Sequence, residues 1–419
     1  MKANQAKEKQ MDLRINFERL KEDIEALGKF GRDQNGGITR PSFSRADLEA
    51  RMWLKERIES AGLVFRQDGV GNIFGLIEGK GKTVMAGSHI DTVINGGMFD
   101  GSVGVLSALE CLRRLKEEAV ELSKPVGLVS FTDEEGNLVG DFLGSRAFVN
   151  ELNKEELEKG ITQFGAPLKE ILKGTEFTIE TILAAHMQAP QIDTYLELHI
   201  EQGETLETED VAIGIVEHIA GKRYRLCSYL GKAEHGGTTP LELRHDAFLG
   251  LSDFALKATQ LVATKYYGNM ITLGKVRVSP GAFSIVPGLV EFSLDLRSGS
   301  KETLEEIENV LLFLAQDIAS TRGLFFSSKL VDSTNPVSPS ERTIRILKEE
   351  CEKLGYTYLL LPSGAGHDAQ ILASVTDVGM IFIPSIEGIS HSPEESIKWE
   401  DLEKGANLLL HSLIRLASS

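Results

Sequence analysis

Short runs of consecutive apolar residues alternate along the chain with longer stretches whose apolar positions recur three and four apart. The second pattern predicts helices over 12–30, 44–62 and 103–118, the second of them opening at a capping serine, Ser44. Strands are expected over 62–66, 71–77, 83–86, 126–131 and 195–200. Residues 31–41 (GRDQNGGITRP) form a turn-rich loop between the first two helices. Strands alternating with helices through the first two hundred residues indicate an α/β domain with a mostly parallel sheet.

The pattern changes near Val211. From there it predicts strands over 222–230, 270–278, 289–297 and 324–331, with helices over 245–265 and 301–320. That order fits a small α+β sandwich. Beyond Asn335-Pro336 the α/β alternation returns, with helices over 341–354 and 400–416 and a strand over 378–383. The expected organisation is a discontinuous catalytic domain, 1–211 and 332–419, interrupted by an inserted lid or dimerisation domain at 212–331.

Composition narrows the class. At 419 residues, two domains are the natural prior. A net charge of −17 argues against nucleic-acid or anionic-membrane partners. The three cysteines, Cys111, Cys227 and Cys351, are scattered without a CxxC, as expected for a reducing cytoplasm. The first residues lack the apolar core of a signal peptide, and no apolar run approaches the ~20 residues needed to span a bilayer. A cytoplasmic protein is expected.

Chemistry collects where strands end. The stretch from His89 to Gly101 packs one imidazole, two carboxylates (Asp91, Asp100) and three glycines between a strand and a helix. Imidazole with carboxylate suits zinc or manganese, and glycines let backbone turn closely around a compact centre. His199 follows a second strand and His391 a third. Glu134 and Glu135 end the 126–131 strand; neighbouring side chains there diverge, so one can hold a metal while the other faces a proton-transfer position. His186 and His411 fall in helical patterns, and no motif surrounds His218.

Seven ordered segments, GSHIDTVINGGMFDG, TDEEG, ELHIEQG, AEHGGTTPLELRHDA, LDLRS, SGAGHDA and GISHSPEE, resemble one family. It is the amidohydrolase branch of the dinuclear zinc metallopeptidase and aminoacylase superfamily: N-carbamoyl-L-amino acid hydrolases, β-ureidopropionase and allantoate amidohydrolases. The resemblance implies two divalent ions, zinc foremost, with manganese, cobalt or nickel also suited to these ligands. His89, His199 and a bridging Asp100 would serve one side, Glu135 and His391 the other. Asp91 would accept the second N–H of His89. Glu134 would act as general base toward a metal-activated water. His235 would stabilise the tetrahedral oxyanion, reaching a partner chain's site, which implies a homodimer. Arg297 would clamp the substrate carboxylate, with Gln202 among the substrate contacts. Arg244, Asp246 and the His367-Asp368 pair look architectural.

Departures fall on the substrate side. Ser284 stands where the family usually has asparagine, and Lys222 where it commonly has glutamine. After Glu135-Gly136 the chain continues Asn-Leu-Val-Gly-Asp instead of Ser-Arg-Phe or Ala-Arg-Phe. A shorter hydroxyl and a new cation could suit a different or more acidic substrate tail. The expected activity is hydrolysis of a linear, non-peptide C–N bond in a small anionic ureido or N-carbamoyl acid. The alternatives are a dipeptidase or N-acyl aminoacylase of the same superfamily, or a catalytically silent dimer that binds a small acid.

Overall fold

The structure is a computed structural model that describes residues 12–418. In chain order its main elements begin with α1 (Phe17–Leu27), α2 (Arg45–Ser60), β1 (Val64–Gln67), β2 (Ile73–Ile77), β3 (Thr83–His89), α3 (Ser102–Glu117) and β4 (Val126–Phe131). Short helical turns lead to β5 (Ile192–Ile200) and β6 (Ile213–Ile219). There follow β7 (Gly221–Leu230), α4 (Ala247–Lys265), β8 (Met270–Thr272), β9 (Val276–Ser279), β10 (Leu289–Ser298), α5 (Lys301–Arg322) and β11 (Phe325–Thr334). The chain ends with α6 (Glu341–Lys353), β12 (Tyr358–Ser363), α7 (Asp368–Leu372), β13 (Asp377–Ile383) and α8 (Trp399–Ala417).

Local chemistry sets several boundaries. Asn16 and Ser44 accept the backbone N–H of Arg19 and Asp47, so α1 and α2 start at side-chain caps. The helical spacing over 12–30 overshoots α1 at both ends, because a cap acts at one residue while periodicity is read over a window. The expected strand over 270–278 is two short strands, β8 and β9, each paired with β10. Two strands, β6 and β12, lie in stretches with no strand expectation.

Two compact units emerge. Among the described residues the first comprises 12–217, 339–361 and 367–418, the second 218–338 and 362–366. The second unit thus starts and ends a few residues beyond the changes in sequence pattern, since β6 belongs to the large sheet.

The first unit carries an eight-stranded sheet in the order β1-β2-β4-β3-β5-β13-β6-β12. Its centre is parallel: β3 pairs with β4 and β5, and β5 with β13. Antiparallel strands flank this centre, β2 on β4 and β6 on β13. β3 and β4 are buried along their whole length, as sheet strands covered on both faces must be. One core joins α1, α2, α3 and α8 to the sheet through Leu20, Leu54, Leu109, Val126, Leu198 and Leu409, among others.

The second unit is an antiparallel sheet, β11-β7-β10-β8 with β9 on β10. Along β10 every second residue from Val290 to Ser298 is buried, the period of a strand with one covered face. That face packs with α4 and α5 around Tyr229, Phe254, Phe292 and Leu311. Among the described residues no helix is long and apolar enough to cross a membrane.

Candidate active site

Parallel strands deliver their carboxyl ends to one edge, and that edge collects the polar residues of the first unit. His89 closes β3 and sits in register with Phe131, the last residue of β4 before Thr132-Asp133-Glu134-Glu135. His199, near the end of β5, is in register with Phe382 on β13, which runs on toward His391. Non-neighbours in sequence become neighbours at a switch in strand order, where open α/β sheets bind ligands.

Asp100 is the centre of the arrangement. Its Oδ1 lies 3.1 Å from His199 Nε2 and 3.9 Å from His89 Nε2. Its Oδ2 lies 3.0 Å from His391 Nε2, which is 3.7 Å from Glu135 Oε2. Each oxygen of one carboxylate therefore faces its own ligand set, His89 with His199 on one side and Glu135 with His391 on the other. In each set the donor atoms lie within 4.8 Å of one another. Both buried imidazoles turn their Nδ1 to backbone carbonyls, His89 to Asp91 at 3.0 Å and His199 to Ile200 at 2.9 Å, which leaves Nε2 facing inward.

Gly101 makes the approach possible. It has φ +63°, and a Cβ there would stand 2.3 Å from His89 Nε2. Asp133, Gln202 and His391 also adopt left-handed backbone, at φ 58°, 58° and 56°. Such conformations are costly for residues with side chains, and they persist where surrounding contacts hold the loop. For Asp133 the contacts are the N–H groups of Asn137 and Leu138, which donate to its carboxylate.

The electrostatics suit cations. Burial raises Glu134 and Glu135 well above the usual carboxylate range, and neighbouring carboxylates add to this. Burial would raise Asp100 too, but His199 and His391 outweigh it and hold Asp100 well below that range. Burial drags His89 down to about 4, whereas at His199 the Asp100 contact overcomes burial and lifts the ring to about 9. Carboxylates crowded this way repel one another unless positive charge lies between them. The donor set, imidazole nitrogen with carboxylate oxygen, fits zinc, manganese, cobalt or nickel.

Asp91 differs in detail from the expectation. Its carboxylate oxygen is 3.8 Å from His89 Nδ1, and its backbone carbonyl takes that contact instead. The carboxylate faces the N–H groups of Glu134 and Glu135, at 3.4 and 3.3 Å, because β4 lies directly beside β3. Glu134 itself is 9% exposed, with Oε2 3.7 Å from His89 Nε2. Gln202 donates through Nε2 to Asp100 Oδ2 and Ser390 Oγ, at 3.0 and 3.1 Å.

Glu395 has no place among the sequence-based candidates. Its Oε1 accepts the N–H groups of Phe99 and Asp100, at 2.8 and 3.1 Å, and its Oε2 accepts Ser390 Oγ at 3.1 Å. It ties the Asp100 loop to the His391 loop. The only signal in the chain is a second acid in GISHSPEE, without anything to separate it from Glu394.

Four other candidates lie on the second unit, in two pairs. His235 is exposed and bridges Ile285, next to Ser284, whose carbonyl accepts from Gly236 at 2.6 Å. Arg244 braces this loop by donating to the Thr239 and Gly236 carbonyls, and Asp246 caps α4. Arg297 and Lys222 face each other across β10 and β7. Arg297 donates to Asp295, Tyr224 Oη and the Gly364 carbonyl. Lys222 pairs with Asp332 at 2.9 Å. His367, on the first unit, stacks edge-on against His199 with ring centres 4.6 Å apart.

Residues 85–415 match Peptidase family M20/M25/M40. The chain belongs to that family. The family is metal-dependent, and the residue groups around Asp100 are this member's candidate ligands. The chain is 35% identical to an N-carbamoyl-L-amino acid amidohydrolase of Geobacillus stearothermophilus, over 96% of this chain and 99% of that one. It is 32% identical to an allantoate amidohydrolase of Bacillus subtilis (strain 168), over 94% and 96%. A crystal structure of an amidase of the hydantoinase/carbamoylase family from Burkholderia multivorans superposes with a TM-score of 0.89 at 30% identity, covering 97% of this chain and 99% of the other. With such relatives, this family member is a hydrolase.

Proposed function

We propose that this hydrolase cleaves the linear C–N bond of a small N-carbamoyl-L-amino acid or of allantoate. The relatives named above carry those two activities. The observation that carries the reading is Asp100, with one oxygen toward His89 and His199 and the other toward Glu135 and His391. A carboxylate so placed suits two divalent cations, which would supply Lewis acidity toward a substrate carbonyl and a water.

Glu134 takes the proton from the attacking water and passes it to the departing nitrogen. Its low exposure keeps bulk water from competing for that proton. For a carbamoyl substrate, water oxygen bonds to the carbamoyl carbon and the bond to the amino-acid nitrogen breaks. The resulting carbamic acid falls apart to carbon dioxide and ammonia. His235 donates to the developing oxyanion, Arg297 binds the substrate carboxylate, and Ser284 and Gln202 orient the remainder. His235 works from a second copy of the chain, in a homodimer. Lys222, already neutralised by Asp332, tunes the charge around Tyr224 and Arg297.

A hydrolysis screen that reads both released ammonia and newly freed amino groups, with zinc or manganese restored, tests the reading. Allantoate, N-carbamoyl-L-amino acids, N-carbamoyl-β-alanine, N-acetyl amino acids and dipeptides are compared. Turnover confined to the ureido and carbamoyl acids is expected; turnover of dipeptides alone would overturn it.

A further inference from the structure

Arg40 lies in the turn-rich loop between α1 and α2, and it is 1% exposed. Among the described residues no carboxylate comes within ion-pair distance of its guanidinium. Three backbone carbonyls receive it instead. Nη1 donates to Leu27 and Phe30, at 3.0 and 2.9 Å, at and just past the carboxyl end of α1, where the helix dipole favours a cation. Nε donates to the Ile90 carbonyl at 2.6 Å. Burial lowers the guanidinium to about 10, with Asp47 and Asp91 opposing, so it is charged at neutral pH and its bonds are charge-assisted.

The backbone of Arg40 holds the other side of the same segment. Its N–H donates to Thr92 Oγ1 at 2.9 Å, and its carbonyl accepts the Thr92 N–H at 3.1 Å. Arg40 therefore grips both Ile90 and Thr92, the residues on either side of Asp91. Asp91 is fully buried and touches His89 with its carbonyl and the Glu134 and Glu135 N–H groups with its carboxylate. A buried guanidinium is expensive to desolvate, and an apolar side chain could fill the same space at lower cost. What an apolar side chain could not do is hold a carbonyl in place by directed hydrogen bonds.

We propose that Arg40 is a positioning residue for hydrolysis: by gripping Ile90 and Thr92 it fixes Asp91, and through Asp91 the His89 ring and the Glu134-Glu135 peptide. This rests on reading that cluster as the hydrolytic centre. The full-length enzyme is compared as wild type, Arg40→Met, Arg40→Lys, Asp91→Asn and the double variant Arg40→Met with Asp91→Asn. Two readouts are taken: kcat and KM on the substrate the wild type turns over, and zinc affinity by chelator competition, which needs no turnover.

Arg40→Met is expected to lower kcat about 10–100-fold and zinc affinity by about 10-fold, the scale seen when groups behind metal ligands are lost, with KM little changed. Arg40→Lys keeps one charged donor and is expected to recover part of both. The double variant should be no slower than Asp91→Asn alone, because both changes break one linkage. Arg40→Met with a lower melting temperature but unchanged kcat per folded molecule would overturn the proposal, as would multiplicative losses in the double variant. If Arg40→Met does not fold, wild-type kcat and zinc affinity in Arg40→Lys overturn it. A wild type that releases no ammonia from any ureido or carbamoyl acid defeats the functional reading instead. Arg40 is then judged on zinc affinity alone, and an unchanged value in Arg40→Met counts against it.

Discussion

A carboxylate can hold one cation on each oxygen when the two oxygens face different ligand sets, and Asp100 meets that condition. Glu134, one position before Glu135, groups with His89 and Glu135 but not with Asp100, so it sits beside the two ligand sets that Asp100 joins and suits proton transfer. Glu134→Gln keeps the shape and removes the base; kcat should fall about 10²–10⁴-fold. Metal content measured by elemental analysis should stay at the wild-type level. A second residue-scale effect concerns His411 on α8, whose Nε2 sits 2.9 Å from the Leu13 carbonyl. Burial depresses its pKa below the ordinary 6.5; the Leu13 bond and Glu350 oppose this, while Arg14 and Lys353 add to it. A base depressed in the folded state is protonated first in the unfolded chain. Its stability contribution is present above about pH 6.5 and is lost as pH falls through the depressed value. Urea unfolding of His411→Gln between pH 7 and 5 should show a shallower loss of stability than wild type. The strand-end imidazoles were legible because polar residues interrupt apolar runs there. Glu395 and Arg40 were not, because most of their partners are backbone groups of other segments, which carry no residue-type signal.

At the scale of elements, the site is a meeting of loops held by few bonds. Glu395 joins the segment before α3 to the loop after β13, and a Cβ at Gly97 would collide with it. Glu395→Ala would leave the buried N–H groups of Phe99 and Asp100 without an acceptor, at a cost of about 1–3 kcal/mol in stability for each group left unpaired. Zinc affinity by chelator competition should drop roughly 10–100-fold, with Glu395→Gln, which keeps one acceptor, in between. Helices with capping serines and fully apolar strands were readable in advance, since each is specified within its own few residues. β6 and β12 were not readable; they complete the large sheet by pairing with strands far away in sequence. Likewise the 270–278 stretch divides because β10 offers it two separate partners, a fact about β10 and not about the stretch itself.

The whole molecule carries a net charge of −17, and several of its buried carboxylates, Asp91, Asp100 and Glu134 among them, gather at one edge of one sheet. Such a cluster opposes folding until cations occupy it. Cations that bind only the folded chain stabilise it by about 2.7 kcal/mol per site at a hundred times their Kd. Thermal unfolding by calorimetry should therefore move to lower temperature on chelation and return when zinc or manganese is added; an unmoved transition would exclude bound cations from the folded state. Sequence by itself determined the family and the α/β class and named His89, Asp100, Glu134, Glu135, His199 and His391 as candidates, because periodicity, strand-end polarity and motif order are properties of neighbouring residues. Only the tertiary structure decided which oxygen of Asp100 faces which imidazole, that Asp91 meets His89 through its backbone, and that Arg40 and Glu395 hold the loops. Apart from the contact of Asp91 with His89, most of those join segments tens to hundreds of residues apart, and their geometry exists only once the sheet has brought the segments together.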